Sequence, residues 1–393
     1  IIFGKDGYNN DTTYNKVIPL TKKYFDMKMV IDTFTYKLEN NIKAVGVNHA
    51  VDNNDLTWNT TIWSDDARHV LIGQMYLFDG NYTKAIPNFN RILFNNTSES
   101  SDLKYRLTKT FSKNAWQNIF LGINGYEHIF TLDFSKVNRQ TNELQTMFSI
   151  NFPNKYMMKP TSSCVTYWES MFDDPTINID PEDPSKTEMP FSGIPGDFYR
   201  GYGVSYKYYK RGVELLADTV QEMLNAKAES RTTDAQKIME LVDTVVNKYS
   251  LGKNSFSHDA NFIVYRAASI HLYAAEIYAV WSFDHSGIVR PESNTSINIL
   301  NDGTYDLEDK SIGVRGRVGF ADGYEAVRIS DIIYQHDPET NEIIGYLNFQ
   351  NNLPAKQLYL TERILDERVR ELAFEGERFY DLMRIALRFN DPS

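Results

Sequence analysis

The segment from Trp63 to Asn96 constrains the fold more than any other. Ser64 is placed to cap a helix, with Asp65 and Asp66 in the first turn, where the positive end of the helix dipole favours acid. Ala67, Leu71, Met75 and Leu77 recur at helical spacing, and Asp79-Gly80-Asn81 breaks the period. Tyr82, Ala85, Ile86, Phe89 and Ile92 then open a second helix. Two helices in about 34 residues, with small residues where they cross and Tyr and Phe as wedges, form a tetratricopeptide-like pattern. Close approach requires small residues at the crossing, and the turn requires a glycine with positive φ.

Further helical periods flank this unit. Residues 22–45 carry Tyr24, Met27, Val30, Ile31, Phe34, Leu38 and Ile42 at helical spacing. Residues 211–248 read as helix through Val213, Leu216, Val220, Met223 and Leu224, then Ile238, Leu241, Val242 and Val245. Asn261–Val280 is apolar almost all round, which predicts a buried helix. Residues 125–135 alternate enough to predict an extended segment. Residues 151–206 lack a period and are rich in Pro, Gly, Asp, Tyr and Phe. An irregular stretch of that length in a compact chain is commonly functional. Residues 282–357 read as loop, and 358–389 as one charged amphipathic helix.

Composition narrows the function classes. The formal charge of −11 argues against nucleic acid, whose phosphates need a basic face. A single cysteine, Cys164, excludes an internal disulfide and a cysteine zinc site, and the seven His lack ligand spacing. No apolar run reaches the length of a membrane span. Aromatics make up 13% of the chain, chiefly 25 Tyr and 23 Phe. The acidic loop 173–186 fits no EF-hand spacing and is broken by prolines, so a solvated loop is expected rather than a calcium site.

The strongest local signal is residues 361–386. Thr361 is placed to cap; Ile364, Leu365, Val369, Leu372, Phe374 and Phe379 form an apolar face. Glu367, Arg368, Arg370, Glu371, Glu375, Glu377 and Arg378 lie at spacings that allow i,i+4 ion pairs. Glu371 and Glu375 could be read as a general acid/base pair. Carboxylates matched by arginines have lowered pKa values, whereas a general acid needs a raised one, so a structural role is expected.

ERVRELAFEGERFYDLMR (367–384) resembles the C-terminal signature of the SusD/RagB family. Four more segments resemble that family in its order: VIDTFTYKLENNIKAV with the hairpin after it, YEHIFTLDF, the Arg266-to-Glu276 helix of DANFIVYRAASIHLYAAEIYA, and GVRGRVGF at 313–320. The resemblance implies a mainly α, SusD-like fold, in which tetratricopeptide-like helical hairpins form a superhelical scaffold beside a large irregular loop-rich region. It implies one domain over 1–393, truncated at both ends. Residues 22–150 would form the first helical part, 151–250 an irregular ligand-side region with a helical insertion, and 251–393 the second helical part.

Members of that family are outer-membrane lipoproteins of Bacteroidota, so the resemblance implies a lipid-anchored cell-surface protein without enzymatic activity or cofactor. The family's anchor is an upstream acylated cysteine, a role that Cys164, in mid-chain, cannot fill. The implied partner is a SusC-like TonB-dependent transporter, over which the protein acts as a lid that delivers oligosaccharides. Flat aromatic rings suit the apolar face of a pyranose, and amides suit its hydroxyls. The expected platform is therefore in the irregular block: Tyr167, Trp168, Phe191, Tyr199, Tyr202 and Tyr206, with Asp197 and Arg200 as polar partners. Trp58 and Trp63 are secondary candidates. The alternatives are the same lid handling oligopeptides, as in the RagB branch, and a generic tetratricopeptide adaptor that leaves 151–206 unused. A hydrolase would require two convergent, unpaired carboxylates.

Overall fold

The computed structural model describes residues 25–43, 61–93, 105–108, 113–122, 125–151, 154–169, 200–229, 231–249, 257–281 and 353–389, with short pieces at 197, 296, 299–300, 313–315, 332–336 and 343–348. The described part is mainly helical.

The predicted hairpin is present. Helix α1 (Met27–Asn40) packs on α2 (Asp65–Phe78), and α3 (Tyr82–Leu93) runs back along α2. The Ser64 hydroxyl accepts from the Ala67 amide at 3.1 Å, closing the N-terminus of α2. Gly80 takes φ +70° in the turn. The closest approach falls at Gly73, where an added Cβ would lie 2.6 Å from the Phe89 ring. Ala67, Ala85 and Phe89 are fully buried there.

Residues 261–280 divide into two elements. β5 (Phe262–Arg266) pairs antiparallel with β1 (His128–Leu132), with Thr131 opposite Ile263 and Leu132 opposite Phe262. Only then does α9 (Ala267–Trp281) begin. Aromatic and β-branched Phe262-Ile263-Val264-Tyr265 favours the pleat, and Ala-rich 267–279 favours the helix. An all-apolar run carries no period that marks such a boundary. α9 lies between α3 and α10 (Leu353–Leu372), and Phe89 stacks on Tyr273 of α9 at 5.5 Å.

Residues 211–248 are likewise only partly helical. Tyr206–Lys210 (β2) turns at Arg211-Gly212 into Val213–Glu214 (β3). Both turn residues have positive φ, as a tight hairpin requires. Two helices follow, α7 (Ala217–Ala228) and α8 (Thr232–Met239), then β4 (Val242–Val246), which pairs with β2. The strand order is β3-β2-β4. Val242 and Val245, expected on a helix, are strand residues. The block 151–206 contains a helix, α6 (Ser162–Glu169), and the stretch 282–357 contains an antiparallel ribbon, β6 (Ile332–His336) with β7 (Ile343–Asn348).

The C-terminal helix is two helices. α10 ends at Leu372, Phe374 and Gly376 take φ +67° and +87°, and α11 (Arg378–Phe389) starts anew. Thr361 is therefore interior to α10, its hydroxyl donating to the Gln357 carbonyl at 2.9 Å, and it does not cap. The break also rotates the expected apolar face. Ile364, Val369 and Leu372 are buried, but Phe379 is 68% exposed.

Candidate functional site

The aromatic residues expected to bind ligand converge, but in the interior. α6 lays Trp168 between Tyr206 of β2, stacked at 5.4 Å, and Phe374 of the α10–α11 turn at 6.0 Å. The Trp168 indole N–H donates to the Arg370 carbonyl at 3.2 Å. Tyr206 and Tyr208 both donate to the Glu169 carboxylate, at 3.1 and 2.5 Å, and Lys227 also binds it. Burial, reinforced by the Glu169 charge, pushes the Tyr206 and Tyr208 hydroxyls far above the usual tyrosine range.

Trp168 and Tyr206 consequently have no open face. The expectation that they form a sugar platform is corrected: their rings close the seam between α6, β2 and the C-terminal turn. Tyr202 is half-buried, stacked on Tyr208 at 5.8 Å, with its hydroxyl donating to the Leu215 carbonyl. Tyr167 is half-buried beside the Arg370 guanidinium. Phe191 and Tyr199 lie outside the described residues, as do Trp58 and the loop 173–186. Trp63 packs edge-on against Phe130 at 5.8 Å.

Asp197 and Arg200 are buried as well, in an ion network rather than at a surface. Arg200 pairs with Asp197 at 2.7 Å, Glu367 at 2.6 Å and Glu371 at 3.1 Å. Arg266, at the end of β5, reaches Glu371 and Glu375 at 2.7 Å and Glu127 at 3.0 Å. Lys248 holds Glu375 at 2.6 Å and the Glu371 and Ala373 carbonyls at 3.1 Å. Arg315, from the segment 313–320, reaches Glu367 at 3.3 Å.

A second network joins α9 to α11. Glu276 accepts from Arg384 at 2.6 and 2.9 Å and from Arg388. Asp381 holds Arg368 at 2.7 Å and Arg384 at 3.0 Å. Glu377 accepts from the Tyr273 hydroxyl at 2.5 Å and from Arg368 at 3.3 Å. Burial raises the Glu276, Glu367 and Glu375 pKa values, and the adjoining cations more than reverse this. Glu367 falls to about 2 through Arg200, Arg315 and Arg370. Glu371 and Glu375 are thus clamped by cations, the arrangement of a structural knot and not of a general acid/base pair. Among the described residues, no cluster of His, Cys, Asp and Glu has the geometry of a metal site, and no helix is long and apolar enough to cross a membrane.

The outer face of the β3-β2-β4 sheet, which the sequence pattern did not single out, presents two half-exposed tyrosines. Tyr209 lies half-exposed opposite Asp243, between Lys207 and Glu214. Half-exposed Tyr156 donates to the Thr244 carbonyl at 2.7 Å along the free edge of β4. Lys159 joins the two, pairing with Asp243 at 2.6 Å with its ammonium 4.7 Å from the Tyr156 ring centre. The available signal was Lys207-Tyr208-Tyr209, whose alternation sends Tyr208 inward and Tyr209 outward.

Residues 202–391 match the family model described as SusD family. No curated protein matches the chain. Among solved structures, a SusD-like protein from Bacteroides fragilis NCTC 9343 is 16% identical over 92% of this chain and 60% of its own, with a TM-score of 0.47. A SusD-like carbohydrate binding protein from Bacteroides vulgatus ATCC 8482 is 13% identical over 91% and 51%, with a TM-score of 0.48. A laminarin binding SusD-like protein is 15% identical over 93% and 62%, with a TM-score of 0.41. The chain spans about half to three fifths of the length of these structures. Through residues 202–391, the chain belongs to the SusD family.

Proposed function

We propose that the protein captures oligosaccharides at the cell surface of a bacterium of the Bacteroidota and passes them to a SusC-like TonB-dependent transporter, which it covers as a lipid-anchored lid. The observation that carries this is the family match over residues 202–391, a segment whose family consists of binding proteins. The scaffold supports the role. Two buried ion networks fix α10 and α11 to the helical layers, leaving a rigid frame on which a ligand surface can be held. The aromatic excess has a dual use: Trp168, Tyr206 and Tyr208 close the core, while other tyrosines stay half-open.

Isolation of the tagged protein from native membranes tests the proposal. Co-purification of a transporter barrel with bound glycan, identified by mass spectrometry, is the expected result. Recovery of the barrel with bound peptides instead would move the ligand class to oligopeptides. Recovery of neither barrel nor glycan would leave the proposal without support.

A further inference from the structure

We infer that the outer face of the β3-β2-β4 sheet, centred on Tyr209 and Tyr156, is a contact surface for a neutral oligosaccharide. The inference rests on the oligosaccharide reading above and deepens it by placing the ligand.

Three observations converge on this face. The first is the state of its rings. Both tyrosines are half-exposed, and both hydroxyls are already tied: Tyr156 to the Thr244 carbonyl at 2.7 Å and Tyr209 to Glu214 at 3.4 Å. A tied tip fixes the ring plane and so lowers the entropy cost of stacking a ligand on it. Burial followed by Glu214 pushes the Tyr209 hydroxyl up to about 12, so the ring is neutral at physiological pH.

The second is the charge pattern. Lys159 pairs with Asp243 at 2.6 Å, and Lys207 pairs with Glu214 at 3.0 Å. The four charges beside the rings cancel. The face therefore selects neither an anion nor a cation, yet it sets ammonium donors and carboxylate acceptors beside two apolar planes. That is the complement of a neutral pyranose, which has an apolar face and a rim of hydroxyls. Adjacent strands lie about 4.8 Å apart, so Tyr209 on β2 and Tyr156 beyond the edge of β4 are separated by about two strand spacings, and a ligand that touches both must be longer than one sugar unit.

The third is the backbone. Tyr156 and Leu241 have φ of +48° and +58°. Bulky residues avoid that region, and such strain persists only where the surrounding structure holds it in place. Leu241 is 66% exposed immediately before β4, so interior packing does not account for its conformation.

The test uses the intact protein and a calorimetric panel of malto-, laminari-, cello-, xylo- and manno-hexaose. Tyr209→Ala and Asp243→Asn are compared with Tyr126→Ala, an exposed tyrosine on another part of the molecule. The expected result is binding of at least one hexaose by the wild type, about tenfold weaker binding by Tyr209→Ala, and unchanged binding by Tyr126→Ala. The thermal midpoint of each variant confirms folding, and Tyr209→Phe, which keeps the ring, should restore most of the affinity. Wild-type binding that Tyr209→Ala and Asp243→Asn leave unchanged overturns this placement while the oligosaccharide reading stands. No binding of any hexaose by the wild type overturns both.

Discussion

Glu375 and Glu377, separated only by Gly376, send their carboxylates into two different buried networks. Glu375 meets Arg266 and Lys248, and Glu377 meets Tyr273 and Arg368. The turn between α10 and α11 is thereby fastened to β5 on one side and α9 on the other. Gly376, at φ +87°, makes the reversal possible.

The two glutamates should respond oppositely to neutralisation. Burial raises the Glu377 pKa despite Arg368 and Tyr273, whereas Arg266 and Lys248 bring Glu375 below its ordinary value against the effect of burial. Glu375→Gln should cost about 3 kcal/mol, because it takes the carboxylate from buried Lys248 and one of three from buried Arg266. Glu377→Gln should be neutral or stabilising. Urea denaturation at pH 7 checks both, and equal losses would contradict the assignment.

Acid should loosen the molecule through the depressed carboxylates. Glu276, Glu367 and Glu375 titrate below the ordinary 4.5, Glu367 at about 2. Their stabilisation is present above the unfolded-state pKa and is lost as pH falls through the folded values. Glu377 has the opposite sign: its contribution is present at low pH and lost as pH rises through its raised value. The thermal midpoint should therefore decline steeply between about pH 4.5 and 2. A flat profile there would contradict the network.

Trp168 is an interior residue in this fold. Trp168→Ala should destabilise by about 4 kcal/mol, from lost burial and an unfilled cavity. A well-folded Trp168→Ala variant with selectively lost ligand binding would restore the platform role that its burial contradicts.

Gly73 marks the contact between α2 and α3. Gly73→Ala should destabilise by about 2 kcal/mol, because the Phe89 ring is pinned behind by Tyr273 and cannot yield. A thermal midpoint equal to wild type would show that the helices separate freely.

The legible parts of the fold were those with an unambiguous period. The α2–α3 hairpin, its Ser64 cap and its Gly80 turn follow from local residues alone, and so does the extended segment at 128–132. Phe262–Arg266, in a continuous apolar run, and the β-branched Val242–Val246 misled, because both satisfy a strand as well as a helix. The break at 373–377 was hidden because helix-forming residues flank it. The site was harder still. Composition does not distinguish Trp168, sealed by Tyr206 and Phe374, from a ring open to solvent. Arg200 and Glu367 are far apart in sequence, so nothing local signalled that they would pair. Tyr209 was passed over because its exposure depends on the strand that 242–246 forms beside it.

The protein is proposed to bind neutral oligosaccharides. Isothermal titration of the purified wild-type protein with the hexaose panel, beside tri- to hexapeptides of mixed sequence, tests it most directly. Saturable binding of at least one hexaose and of none of the peptides is expected. Saturable binding of peptides with no response to any hexaose would contradict it.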